Sequence, residues 1–345
     1  EAINVANVWI DKGLKIVYTK GKTADSNHEY QTQNKPVDLQ IPLIVLIDEG
    51  TASASEIVSG SIQDLDRGIV IGQNSYGKGL VQITRPIAYK SRLKVTTSKY
   101  YIPSGRCIQR IDYTHRDSEG VAKVLPDSLR KSFKTKIGRI VKDGAGIEPD
   151  VKTEEELMAD VTISLFENNH FFTFANLYKK NHSTLLGDSK YKMTDAEYVE
   201  FVEFVKGKSF KYETDTEKAL KALKKTAEEE KFFAALQPAI SPLESEILSE
   251  KGDDLMKFKS EIKRILQMEI VSRYKYEKGR IASSLTEDKD IATALEYFIE
   301  IEKYNLAQEP NLFSKWFKSD DTRMKNAMIK AGLPTTADDA HYLSK

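Results

Sequence analysis

The sequence of 345 residues has little cysteine, few prolines, no excess of charge of either sign and no long apolar run. Its single cysteine, Cys107, excludes an intramolecular disulfide framework. Fifty-two basic residues balance 52 acidic ones, so no overall field favours binding to nucleic acid or an anionic membrane. No apolar run approaches the roughly 18–20 residues that a transmembrane helix needs. We therefore expect a protein of about two domains, with no nucleic-acid partner and no transmembrane segment.

Two further absences concern the start of the chain and metal binding. The sequence begins with Glu1-Ala2-Ile3 rather than Met, within a segment of helical periodicity, and no signal peptide precedes it. We therefore expect it to be part of a longer protein. The five histidines lack a metal-ligand spacing such as HExxH, so no metal or other cofactor is predicted.

The first part of the sequence alternates between strand and helix signals. Residues 42–47 are a continuous apolar run, typical of a strand buried on both faces, and helix signals follow over 53–65. A further strand is predicted over 68–72, and two alternating segments at 80–87 and 92–102 predict two more. A strand, a helix and a strand joined by short loops indicate an α/β core with flanking helices.

The composition changes after Pro149-Asp150-Val151. Beyond this point the chain is rich in lysine and glutamate and its apolar residues recur at helical spacing. We therefore predict two domains, an α/β domain over 1–152 and a mainly α-helical region over 153–345. No motif assigns a role to the helical region, and nothing in the sequence indicates an oligomeric state.

Ser53 stands where the apolar strand 42–47 gives way to the helix. Ser53-Ala54-Ser55-Glu56 fits a capping box, in which the serine only begins the helix. If Thr51 capped the helix instead, the Ser53 hydroxyl would be free to act as a nucleophile at the positive end of the helix dipole. The pattern alone permits both arrangements.

Lys78 lies between two glycines, 25 residues after Ser53. A lysine in this setting is usually a turn residue that faces water. A lysine that acts as a general base must be neutral, which requires burial that lowers the ordinary lysine pKa of about 10.4 toward roughly 7–8. Gln82, four residues on, falls on the same face if the strand continues, about 13 Å away along a fully extended backbone.

A phosphate-binding loop is a rival interpretation of the same segment. Residues 72–78 match GxxxxGK, but Gly79 replaces the required serine or threonine and a strand follows instead of a helix. Both departures remove the mechanism by which such a loop holds phosphate. The sequence therefore argues against nucleotide binding.

Five ordered stretches resemble the carboxyl-terminal processing (tail-specific) serine peptidases. They are GTASASEI at 50–57, YGKGLVQ at 76–82, KYYIPSGR at 99–106, IQ at 108–109 and GIEPDV at 146–151. The resemblance covers roughly residues 1–152 and implies that Ser53 is the nucleophile, Lys78 the general base and Gln82 the residue that orients the lysine. The backbone N–H of Ala54 would then be one oxyanion donor.

The resemblance also implies a function and a location. It predicts a serine endopeptidase that cleaves unfolded or C-terminally tagged polypeptides in the bacterial cell envelope, in the periplasm, without a cofactor. Members of the family carry a peptide-binding PDZ domain and a glycine-rich segment with a second oxyanion donor, and neither is found in this sequence. The alternative is a catalytically impaired binding or scaffolding protein with a peptidase-like core.

Overall fold

The computed structural model describes residues 1–185, 191–208 and 210–303, which form two compact units. One unit consists of residues 1–155 together with the helix that begins at Lys289, and the other consists of residues 156–288. Within these described residues, no helix combines the length and the apolar character that crossing a membrane requires.

Residues 1–155 of the first unit form one short α-helix, one central α-helix and eleven strands. In chain order these are α1 (Ala2–Ala6), β1 (Lys15–Gly21), β2 (Glu29–Gln31), β3 (Ile44–Ile47), α2 (Ala54–Asp64), β4 (Ile69–Gly72), β5 (Leu80–Pro86), β6 (Arg92–Tyr101), β7 (Ile111–Arg116), β8 (Ala122–Val124), β9 (Ser132–Lys134), β10 (Ile140–Lys142) and β11 (Val151–Lys152). The expected α/β class is confirmed.

A parallel three-stranded sheet in the order β11-β4-β3 places the start of α2. β3 and β4 pair in parallel from Ile44 opposite Ile69, with α2 as the connection between them. β4 is buried along its whole length, as expected for a central parallel strand. Burial of β3 on both faces was expected, but Leu46 is 38% exposed because β3 forms an edge of this sheet.

An antiparallel sheet in the order β2-β1-β6-β5 places the segment that contains Lys78. β5 and β6 correspond to two predicted strands; they pair as an antiparallel hairpin whose register shifts between Val81 and Gln82. The main core of the unit combines side chains from α1, α2 and both sheets. Its fully buried members include Ala6, Ile16, Ile62, Val70, Ile102, Ile108 and Ile147.

The second unit is helical, as predicted for this part of the chain. Its helices are α3 (Asp160–Glu167), α4 (His170–Asn181), α5 (Asp195–Lys206), α6 (Asp215–Glu229), α7 (Phe233–Lys251), α8 (Asp254–Lys257) and α9 (Lys259–Ser284). After it, α10 (Lys289–Lys303) belongs to the first unit and contacts β3 and β4.

Aromatic and aliphatic side chains fill the core of the helical unit. Phe174 packs edge to face on Phe201, and Phe171 stacks on Phe201 with the ring centroids 5.7 Å apart. Capping boxes begin α5 at Thr194 and α6 at Thr214. The domain bounds 1–152 and 153–345 stay a prediction, since residues 304–345 lie outside the described part of the chain.

Candidate active site

Ser53 is the residue immediately before α2, and its backbone is in an unusual conformation. Its φ is +59° and its ψ is −112°, a region that residues other than glycine rarely adopt. Thr51 is not the N-cap residue, because its hydroxyl donates to the Asp48 carboxylate at 2.8 Å, and Ser53 occupies the N-cap position of α2. Ser53 is half-buried, whereas the first two helical residues, Ala54 and Ser55, are exposed. The start of the helix is therefore accessible to a polypeptide.

Glu56 connects the start of α2 to the segment that contains Lys78. Its side chain is fully buried, and Oε2 accepts hydrogen bonds from the backbone N–H of Ser53 at 2.7 Å and of Lys78 at 2.9 Å. Oε1 accepts from the Ser75 hydroxyl at 2.6 Å and from the Gly77 N–H at 2.7 Å. Burial of a carboxylate is costly unless donors surround it, and here four donors do so. One side chain thus holds Ser53 and Lys78 next to each other.

Tyr100 makes a second connection between the same two residues. Its side chain is almost fully buried, and its hydroxyl donates to the Lys78 carbonyl at 2.6 Å and lies 3.1 Å from the Ser53 carbonyl. Burial raises the pKa of Tyr100 well above its ordinary value, and the charge of Glu56 raises it further, so the hydroxyl remains a donor. Adjacent residues of a strand face opposite ways, and here Tyr100 is the core residue, while Tyr101 stacks on Tyr18.

The glycines on either side of Lys78 allow this segment to pass close to its neighbours. Gly77 has a φ of +83°, and a Cβ at this position would lie 2.5 Å from the Arg110 Cβ. The Gly79 N–H donates to the Gln109 side-chain oxygen at 2.7 Å, and a Cβ on Gly79 would lie 2.8 Å from the backbone nitrogen of Gln109. Larger residues would displace the segment, which explains why Lys78 stands between two glycines.

The Lys78 and Gln82 side chains are less constrained than the backbone. Both side chains are exposed, and β5 begins only at Leu80, so Lys78 precedes the strand. The Gln82 amide donates to the Thr96 hydroxyl at 3.4 Å, next to the register shift in the hairpin. The structure therefore brings the backbones of Ser53 and Lys78 together, and it places the Gln82 amide on Thr96.

Asp64 and Asp66, at the other end of α2, are both buried in ion pairs. Asp64 is paired with Arg106 at 2.9 Å, and both side chains are fully buried. Asp66 is paired with Arg139 at 2.8 Å; burial raises its pKa, an effect that Arg139 opposes. Since α2 has 11 residues, these acids lie roughly 16 Å along the helix from Ser53. They fix the position of the helix and do not complete a triad.

Metal and thiol chemistry are not evident among the described residues of this unit. Within the described ranges, no cluster of three or more histidine, cysteine, aspartate or glutamate side chains is arranged to hold a metal ion. Burial raises the pKa of the Cys107 thiol, so its reactive thiolate is disfavoured. Ser53 therefore remains the candidate nucleophile.

Comparison with known proteins gives two matches to family models. Residues 1–119 match peptidase family S41, and residues 161–298 match the C-terminal helical domain of probable PDZ-proteases. The resemblance to carboxyl-terminal processing peptidases is thereby confirmed, and the matches support a peptidase of the serine type. Glu56 and Tyr100, which hold the candidate site together, both lie within the S41 match.

Individual relatives agree with the family matches. A carboxy-terminal-processing protease of Bartonella bacilliformis is 41% identical over 114 residues, which are 33% of this chain and 26% of that protein. The chloroplastic C-terminal processing peptidase of Tetradesmus obliquus is 33% identical over 136 residues, 36% of this chain and 28% of that protein. This chain thus spans about a quarter of the length of these relatives.

A solved structure is also similar to part of the chain. The photosystem II D1 C-terminal processing protease is 25% identical, with a TM-score of 0.32 over 44% of this chain and 30% of that one.

Proposed function

We propose that this chain carries the catalytic dyad of a serine endopeptidase, with Ser53 as the nucleophile and Lys78 as the general base. The two contacts that these residues share support the proposal. Because both backbone N–H groups donate to the same oxygen of Glu56, the two nitrogens lie at most roughly 6 Å apart. The Tyr100 hydroxyl meets both carbonyls. A lysine side chain is long enough to reach a serine hydroxyl over this distance.

The proposed reaction is acyl transfer from the peptide to Ser53 and then to water. The Ser53 Oγ forms a bond to the scissile carbonyl carbon while its proton passes to the neutral Lys78 amine. The C–N bond of the peptide then breaks, and Lys78 delivers the proton to the leaving amine. Water then attacks the carbonyl carbon of the acyl-enzyme while Lys78 takes a proton from it. The ester C–O bond to the Ser53 Oγ breaks, and Lys78 returns the proton to Oγ as the carboxylic acid product leaves.

The start of α2 supplies stabilisation for the developing oxyanion. α2 begins at Ala54, so the N–H of Ala54 is one of the first-turn donors that have no partner within the helix. We assign it as an oxyanion donor, supported by the positive end of the helix dipole. Loss of one such donor typically lowers turnover by about 10²–10³-fold.

The exposure of Lys78 is consistent with a polypeptide substrate. A peptide that lies across Ser53 would also cover the lysine and exclude water from its amine. We infer that the substrates are unfolded or C-terminally exposed polypeptides in the bacterial cell envelope, in the periplasm. The similarity to proteases whose names specify C-terminal processing supports this substrate class.

Cleavage of β-casein tests the dyad. Ser53→Ala and Lys78→Ala should each lower the rate by at least about 10³-fold, because members of a catalytic unit act together. Lys99→Ala removes another exposed lysine, on β6, and should leave the rate unchanged. Undiminished cleavage by either dyad variant would exclude the proposed mechanism.

A binding or scaffolding protein with a peptidase-like core is the second candidate. The exposure of Lys78 in the absence of a substrate favours it, because a lysine that acts as a general base needs burial. Such a protein would bind β-casein without cleaving it, and Ser53→Ala would leave the binding unchanged. Measuring binding and cleavage on the same samples separates the two functions.

A further inference from the structure

We propose that Tyr100 is a positioning residue for the Ser53–Lys78 pair. This inference rests on the proposed function and identifies a residue that acts through the dyad without contacting the substrate. Sequence alternation placed one of the two tyrosines of β6 in the core, but nothing in the sequence gave its hydroxyl a partner.

Three contacts of Tyr100 converge on the candidate site. Its backbone N–H donates to the Gly79 carbonyl at 3.0 Å. Its hydroxyl donates to the Lys78 carbonyl at 2.6 Å and lies 3.1 Å from the Ser53 carbonyl. The backbone position of Tyr100 is itself fixed, because β6 pairs with β1 at Thr19. Tyr100 thus ties Lys78 and Ser53 to a strand that the sheet holds in place.

Tyr100 and Glu56 act on opposite sides of Lys78. Glu56 accepts the N–H of Lys78, and Tyr100 donates to its carbonyl, so both backbone polar groups of the residue are bound. With both groups fixed, the direction in which the Lys78 side chain leaves the backbone is fixed as well. A displacement of about 1 Å between reacting groups can lower a rate about 10²-fold, so control of this direction matters for catalysis.

The hydroxyl and the ring of Tyr100 have separable roles. The ring is part of the core cluster around α2, whereas the hydroxyl reaches the two carbonyls. Tyr100→Phe therefore removes the positioning contact and keeps the packing. Tyr101→Phe is a matched control on the same strand, because it removes a hydroxyl from a ring that stacks on Tyr18.

Steady-state kinetics on samples titrated for active sites tests the catalytic side of the proposal. In Tyr100→Phe we expect kcat per titrated site to fall by about 10- to 100-fold with KM within about twofold, and in Tyr101→Phe we expect no change. A merely structural role would lower the number of active sites but leave kcat per site unaltered. An unchanged kcat per site would therefore overturn the proposal.

Amide hydrogen exchange tests the same role without any need for activity. The N–H groups of Gly77 and Lys78 should exchange about fivefold faster or more in Tyr100→Phe than in the parent and in Tyr101→Phe. Equal rates would overturn the positioning role. If the parent shows no turnover that depends on Ser53, the proposed function fails. Faster exchange in Tyr100→Phe would then still support Tyr100 as the residue that holds this segment.

Discussion

The two units of this protein hold their structure in different ways. Residues 1–155 bury charged side chains in ion pairs and multiple hydrogen bonds, with Glu56, Asp64 and Arg106 fully or almost fully buried. The helical unit, residues 156–288, depends on a cluster of aromatic and aliphatic side chains. The difference follows from the backbone. A helix satisfies its own N–H and C=O groups, whereas an irregular segment near a catalytic site needs partners from elsewhere.

The segment around Lys78 shows this need directly. The N–H groups of Gly77 and Lys78 donate to Glu56, and that of Gly79 donates to Gln109. Side-chain oxygens thus take the place that backbone carbonyls have in a helix. Buried polar residues are the means by which this unit fixes a loop at a candidate active site.

The largest effect that we expect in a test of this comparison is a loss of folding stability. Asp64→Asn leaves the Arg106 charge buried without its partner, and we expect a loss of about 3–5 kcal/mol in the free energy of unfolding of the first unit. Phe201→Ala should cost the helical unit a similar amount, about 3–5 kcal/mol, through a cavity. Hydrogen exchange in increasing denaturant, resolved by peptide, measures the two units separately.

A double variant checks that charge is the cause in the first unit. Asp64→Leu combined with Arg106→Met removes both charges and should recover part of the stability that Asp64→Asn loses. If Asp64→Asn costs less than about 1 kcal/mol, or if the double variant is no better, the contrast between the units is wrong.

A smaller effect concerns the response to pH. Burial raises the pKa of Asp66 above the usual value of 3.8. The stability that this carboxyl group contributes is therefore fully present below pH 3.8 and declines as the pH rises through the folded-state pKa. For Glu197, hydrogen bonds from Tyr178 and Thr194 outweigh burial and lower the pKa. The stability that Glu197 contributes is fully present above pH 4.5, the usual pKa of a glutamate, and is lost as the pH falls through the folded-state pKa.

Two conservative variants measure these opposite responses. In Asp66→Asn, the first unit should no longer lose this stability as the pH rises. In Glu197→Gln, the helical unit should no longer lose this stability as the pH falls. Urea titrations between pH 3 and pH 7, read by proteolysis of each unit, provide the comparison. If the two variants changed the pH dependence of stability in the same direction in both units, the predicted opposite responses would be wrong.

Local sequence patterns were sufficient to predict the elements around the site. The predicted helix at 53–65 corresponds to α2, Ala54–Asp64, because a capping box marks its start. The strands β5 and β6 were predicted from alternation. Strands of two or three residues, such as β9 and β11, were missed because so short a segment carries no period.

The contacts that assemble the site were beyond prediction because they join distant residues. Glu56 was recognised as half of a capping box, and nothing local indicated that it also binds Lys78, 22 residues on. Likewise, nothing near Asp64 in the sequence indicated that it pairs with Arg106, 42 residues later. Sequence patterns report what lies within a few residues, whereas the pairing of buried charges is a property of the folded chain.

The reaction of Ser53 with a fluorophosphonate probe tests the central claim most directly, namely that Lys78 activates Ser53. Peptide mapping would identify the labelled residue, and the rate would be compared between the parent, Lys78→Ala and the control Lys99→Ala. We predict labelling at Ser53 in the parent and in the control, and a rate at least about 100-fold lower in Lys78→Ala. Labelling of Ser53 at the parental rate in Lys78→Ala, or no labelling of Ser53 in the parent, would contradict the account.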